Sequence, residues 1–144
     1  MAIAAALPEE FPGWSILLQG DLGAGKSTLA RAMLHALGHT GRVPSPTYTL
    51  VEPYSLPRGD VYHIDLYRIG GEAELEFLGW SDLHGGLKLI EWPERVPSLD
   101  AVADLKVRLA YEGEGRIAEL AAMTPRGHEL LVRLSNSSPN PVAP

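Results

Sequence analysis

The 144-residue chain predicts an α/β fold: a single domain with a mixed central sheet and helices on both faces. Three observations carry this. A short apolar run, Trp14 to Gln19, ends at a glycine and leads through a loop into a helical pattern, the order strand, loop, helix. Two stretches of alternating residues, 47–67 and 105–121, are each interrupted by turn formers, as antiparallel hairpins are. A further apolar run, Leu87 to Glu91, is stopped by Pro93 and reads as a core strand. The hairpins make the pattern less regular than a doubly wound sheet.

Taken in order, the first helix runs from Ser27 to Leu37. It carries Leu29, Ala30, Met33, Leu34 and Leu37 at three-and-four spacing and is closed by Gly38. Residues 41–46 form a loop, because Pro44 and Pro46 bias the residues before them away from helix. Thr47 to Tyr54 and Val61 to Tyr67 are read as paired strands, rich in β-branched and aromatic side chains. Glu72 to Leu78 is a short acidic helix that Trp80 to Leu83 extends beyond Gly79. Leu105 to Tyr111 and Arg116 to Ala121 form the second hairpin around Glu112-Gly-Glu-Gly115. Thr124 and Pro125 give the N-cap and N1 signal of a last helix ending near Leu134. The domain is placed at residues 1–134, and the Ser-, Asn- and Pro-rich residues 135–144 are read as a disordered tail.

Composition narrows the function classes. Hydrophobic residues make up 45% and charged residues 21%, as in a soluble globular domain. No apolar run is long enough to span a bilayer, so no membrane role is expected. The N-terminal stretch lacks the basic region of a secretory signal, and a cytoplasmic location is the expectation. With no cysteine, disulfides, thiolate metal sites and a cysteine nucleophile are excluded. The net charge of −6, only three lysines (Lys26, Lys88, Lys106) and scattered arginines argue against direct binding of DNA or tRNA, which needs a basic face.

Gly20-Asp-Leu-Gly-Ala-Gly-Lys26-Ser27 matches G-x-x-x-x-G-K-[ST] in full, between a predicted strand and a predicted helix. A chance match in this length has odds of roughly one in two hundred on average composition, so the domain is read as P-loop NTPase-like. Its glycines let backbone N–H groups of Asp21, Leu22, Gly23, Ala24, Gly25, Lys26, Ser27 and Thr28 turn toward phosphate oxygens. Lys26 supplies a point charge to the β/γ phosphates, and the Ser27 hydroxyl a magnesium ligand.

A second magnesium ligand belongs at the end of a core strand, where Asp65 and Glu91 are the candidates. Each reads equally as a solvated strand-end charge or a structural ion-pair partner. Thr47 is either a switch threonine sensing the γ-phosphate or, on spacing alone, a β-branched residue opening a strand. Trp92 either walls the pocket or is a half-buried core tryptophan. His35, His39, His63, His84 and His128 have no metal-like spacing and are read as structural or exposed. The guanine-reading [NT]-K-x-D signature is absent, the D-x-x-G at Asp82 to Gly85 follows a helical stretch, and no arginine-rich lid of a small-molecule kinase is present.

Four segments taken together, GDLGAGKST, VPSPTYTLVEPY, YHIDLYRI and LIEWPERVP, resemble the bacterial TsaE family, also called YjeE, from about Trp14 to about Leu134. These are small P-loop ATPases needed to make threonylcarbamoyladenosine beside the anticodon of certain tRNAs. The resemblance implies ATP and Mg²⁺ as ligands, with Lys26 on phosphate, Ser27 and Glu91 on magnesium, and Thr47 in a switch-like S-P-T element. It also implies Asp65 in hydrolysis, Trp92 beside the site and Arg116 near the base. Implied partners are TsaD and TsaB, with tRNA reached only through their complex. Thirteen residues precede Trp14, fewer than the family usually carries there, so the base pocket is expected to be open or completed differently. The rival readings are a small-molecule P-loop kinase and a non-catalytic, nucleotide-gated docking module.

Overall fold

The computed structural model describes residues 2–7, 13–21 and 23–137. Of the tail expected at 135–144, residues 135–137 continue the last helix instead, and residues 138–144, like Leu22, lie outside the described residues. In chain order the elements are α1 (Ala2–Ala6), β1 (Ser15–Gly20), α2 (Lys26–Ala36), β2 (Val51–Leu56) and β3 (Gly59–Asp65), then β4 (Leu87–Glu91), β5 (Leu105–Glu112), β6 (Gly115–Ala122) and α3 (Pro125–Ser137). The six strands form one sheet in the order β2-β3-β4-β1-β5-β6. The four central strands are parallel, and β2 and β6 close the edges as the antiparallel arms of the two predicted hairpins. The sheet is therefore mixed, and its parallel centre needs cover on both faces.

Alternation along the strands supplies that cover. Ile16 and Leu18 of β1 point to one side, into a core with Met33 and Leu34 of α2, Ile3 of α1 and Leu130 of α3. Leu17 points to the other side and joins Ile64, Ile90, Leu75 and Leu99. The α-helices occupy only the first face. The second is covered by four 3-10 helices, Glu72–Leu78, Trp80–Leu83, Pro93–Arg95 and Pro97–Ala101. The acidic helix predicted at 72–78 is thus present but wound more tightly, ending at Gly79 with its φ of 72°.

One expected strand start is a turn instead. The alternation from Thr47 predicts strand, but β2 begins at Val51, and Pro46 to Thr49 form a turn closed by the Leu50 N–H donating to the Pro46 carbonyl at 2.7 Å. Leu50 takes a φ of 70°, a conformation no strand residue holds, and its carbonyl accepts from the Asp65 N–H. The turn is thereby fastened to the end of β3.

A buried carboxylate just before β5 ties the start of β1 to the first turn of α3. Asp104 is 2% exposed and accepts from the Ser15 N–H (3.0 Å), the Thr124 hydroxyl (2.8 Å) and a two-pronged Arg126 (2.8 and 2.9 Å). Thr124 also accepts from the Gly127 N–H at 3.1 Å, the N-cap bond its sequence position predicts. Gly127 lies so close to the Asp104 carbonyl that a Cβ would stand 1.9 Å from it, so only glycine fits the first turn of α3 there. Burial alone would raise the Asp104 pKa, but the hydrogen bonds from Arg126, Thr124 and Ser15 outweigh it and hold the carboxyl below its ordinary value.

Because its folded pKa is depressed, Asp104 contributes stability that is fully present above its unfolded pKa of about 3.9. That contribution disappears as pH falls through the lower folded value. Asp104→Asn should lower unfolding stability at pH 7 by about 2 kcal/mol, since a half-exposed Arg126 keeps water as an alternative partner. Urea denaturation of both proteins should show the gap narrowing below about pH 4; a gap independent of pH would contradict the ionised clamp.

Candidate functional site

The loop between β1 and α2 is shaped by its glycines. A Cβ on Gly20 would meet the Leu109 carbonyl at 2.7 Å, and Gly23 and Gly25 take φ values of 80° and 106°. Gly25 is the N-cap of α2, so the first N–H groups of the helix open at the loop. The chain then places Lys26 and Ser27 in the first helical turn, directly beyond the C-terminal end of β1.

The neighbouring strands bring the acids. In parallel register, Asp65 of β3 lies opposite Glu91 of β4, and Glu91 lies opposite Leu18 of β1. Both carboxylates therefore stand at the carboxyl end of the sheet beside the loop, the end at which parallel α/β sheets bind ligands. Ser27 Oγ donates to Glu91, 3.0 Å from Oε1 and 3.2 Å from Oε2. Asp65 accepts from the Tyr67 N–H at 2.8 Å, and Thr47 Oγ1, itself 2.8 Å from Ser45 Oγ, lies 3.5 Å from its other oxygen.

A cleft of about 310 Å³ gathers Gly23, Gly25, Lys26, Ser27, Thr28, Thr47, Asp65, Glu91 and Trp92 with one residue not predicted, Tyr67. The Tyr67 ring packs against that of Trp92, centroids 4.9 Å apart. Trp92 lies over Lys26, whose ammonium is 3.4 Å from the ring centre and donates to the Gly20 carbonyl at 2.5 Å. Of the other predicted residues, Asp21 is exposed and Ala24 is buried beneath the loop, its N–H donating to the Asp21 carbonyl. Neither lines the cleft, and Leu22 lies outside the described residues. Arg116 sits on the β5–β6 hairpin, 4.1 Å over the Tyr111 ring, whose hydroxyl donates to the Gly23 carbonyl at 2.5 Å. It reaches the loop only through that tyrosine.

Burial sets the electrostatics. It lowers the Lys26 pKa despite the opposing charges of Glu91, Glu94, Asp65 and Asp21. It raises that of Asp65, with the Glu91 charge acting in the same direction and the Tyr67 N–H against it. A carboxyl so placed is a better proton acceptor than one in water. Ser27 and Glu91 supply two adjacent hard oxygen donors. Among the described residues no group of three or more acidic, His or Cys side chains converges as a metal cage. Two such oxygens could serve an ion such as magnesium, which keeps waters and takes its remaining ligands from phosphates.

His63, read from the sequence as structural or exposed, is buried beside the site. It lies two positions before Asp65, is 1% exposed, and places Nε2 2.5 Å from Glu91 Oε2. The strand alternation gave it an inward direction, but only strand pairing reveals the acid it meets.

Comparison with known proteins agrees with this architecture. A family model described as threonylcarbamoyl adenosine biosynthesis protein TsaE matches residues 1–118. The tRNA threonylcarbamoyladenosine biosynthesis protein TsaE of Haemophilus influenzae is 45% identical over 123 residues, 84% of this chain and 78% of that protein. Its namesake in Synechocystis sp. is 44% identical over 100 residues, 65% and 63% of the two chains. The crystal structure of Bacillus subtilus YdiB superposes with a TM-score of 0.69 at 27% identity, covering 94% of this chain and 84% of that one. With the family model spanning β1 to β5, the loop and every residue of the cleft, the chain belongs to the TsaE family of threonylcarbamoyl adenosine biosynthesis proteins.

Proposed function

We propose that this protein is a magnesium-dependent ATPase of low intrinsic activity that serves tRNA threonylcarbamoyladenosine synthesis by acting on a TsaB–TsaD complex. The observation that carries it is the convergence of Lys26, Ser27, Asp65 and Glu91 on one cleft at the carboxyl end of the parallel strands, beside the glycine loop. The family to which the chain belongs supports the tRNA-modification context.

In this reading the loop amides and Lys26 hold the β and γ phosphates, Lys26 exchanging the Gly20 carbonyl for phosphate oxygen. Ser27 and Glu91 would hold magnesium, which when bound with the nucleotide neutralises phosphate charge. Asp65 orients the attacking water in line with the γ-phosphorus. The new P–O bond forms as the bridge to the β-phosphate breaks, and the water's proton passes to Asp65 or solvent, leaving ADP and phosphate. Thr47, 3.5 Å from Asp65, links the turn at 46–50 to that position and so to the γ-phosphate. Lys26 is the sole cation lining the cleft among the described residues, and a second cation from a partner would complete charge stabilisation.

Lys26→Ala should abolish ATP binding in a titration calorimeter while the protein remains folded; unaltered affinity would overturn the phosphate site. Asp65→Asn should keep nucleotide affinity within a few-fold and lower turnover on the order of a hundredfold, the usual scale for a lost general base. Steady-state hydrolysis should be faint for the isolated chain and rise on adding TsaB and TsaD, and tagged TsaB–TsaD should retain the protein according to whether ATP, ADP or no nucleotide is present. Rapid unaided turnover, or no capture under any condition, would contradict the partner-completed site.

A further inference from the structure

We infer that His63 is a positioning residue for the metal site: its Nε2–H fixes one oxygen of Glu91 so that the carboxylate meets Ser27 and a divalent cation in a single orientation. The inference rests on the assignment of Glu91 and Ser27 to magnesium made above. Four observations carry it. Glu91 Oε2 lies 2.5 Å from His63 Nε2, and the two side chains are 3% and 1% exposed, so no water competes for the bond. The same carboxylate is already engaged by Ser27 from the opposite element, α2. His63 Nδ1 is buried and has no hydrogen-bond partner among the described residues. A proton there would be an orphaned buried donor, so the proton belongs on Nε2, aimed at Glu91. Finally, the backbone that carries the ring is held inside the sheet: His63 sits in β3 paired with Leu89 on one side and Glu52 on the other.

The chemistry follows from this geometry. A carboxylate with both oxygens free to rotate is a poor ligand for an ion that demands near-octahedral coordination, and restricting it lowers the ordering cost of binding. Groups that orient metal ligands in this way typically change metal affinity 10- to 100-fold when removed. The ring also adds a second hydrogen-bond donor, beside Ser27, to a buried acid.

The test is Mn²⁺ affinity in the ADP complex, followed by electron paramagnetic resonance of free Mn²⁺, with thermal melting in parallel. His63→Leu should weaken Mn²⁺ binding by 10- to 100-fold. His63→Gln, whose amide nitrogen can take the place of Nε2, should restore affinity to within about threefold, whereas His63→Asn, whose shorter amide reaches only the Nδ1 position, should not. If His63→Leu does not fold, the Gln and Asn variants carry the same contrast. Wild-type Mn²⁺ affinity in His63→Leu, or equal loss in the Gln and Asn variants, would overturn the positioning role. Glu91→Gln separates this from the parent reading: if it too leaves Mn²⁺ affinity unchanged, the metal assignment itself fails; if it alone abolishes binding, only the role of His63 does.

Discussion

The pairing of β4 between β1 and β3 governs the rest of the cleft. It sets Glu91 opposite Leu18 on one side and Asp65 on the other, two residues short of Gly20. Because side chains alternate along a strand, a one-residue slip of β4 would exchange Glu91 for an apolar neighbour. Such a slip would also turn Leu87 and Leu89 out of the core they share with α2. The hydrophobic layer and the acidic site thus enforce the same register, and the functional geometry is obtained through ordinary core packing.

That register creates an electrostatic imbalance. Lys26, Asp65 and Glu91 are all nearly buried, so two acids face one base, and burial disfavours the charges of Lys26 and Asp65. The protein offsets this locally: Ser27 and His63 donate to Glu91, the Tyr67 N–H to Asp65, and Lys26 lies against the Trp92 face and the Gly20 carbonyl. A polyphosphate would add negative charge to a cleft already acidic. The proposed magnesium is therefore an electrostatic necessity of the proposed reading as well as a chemical one.

Much of this was legible from residues alone, because much of it is local. The glycine loop, the helix after it and the two core strands follow from spacing and from the backbone freedom of glycine. Lys26, Ser27, Thr47, Asp65, Glu91 and Trp92 were all singled out, and the cleft brings them together. What escaped is non-local. The alternation around Thr47 is genuine strand chemistry, yet the Pro46 carbonyl and the end of β3 bind the backbone into a turn first. His63 was an ordinary strand residue until pairing set it against Glu91. The strand expected to run to Tyr67 ends at Asp65, so that Tyr67 turns beyond it to pack on Trp92. The tighter winding of residues 72–78 is likewise invisible to an apolar pattern that helices of either pitch satisfy.

The backbone at Trp92 shows how far the tertiary contacts reach. It takes φ 58° and ψ 48°, although it is not glycine and precedes Pro93, which favours extended conformations. A left-handed residue of this kind costs about 1–3 kcal/mol. The opposing terms have the same size: a desolvated lysine on a tryptophan face is worth about 2 kcal/mol and an aromatic pair about 1 kcal/mol. Lys26 and Tyr67 supply both, at 3.4 and 4.9 Å. The groups that line the cleft hold the ring, while the Arg95 N–H bond to the Trp92 carbonyl and the Leu66 N–H bond to the Glu91 carbonyl hold the backbone, so side-chain and main-chain contacts together sustain the strain.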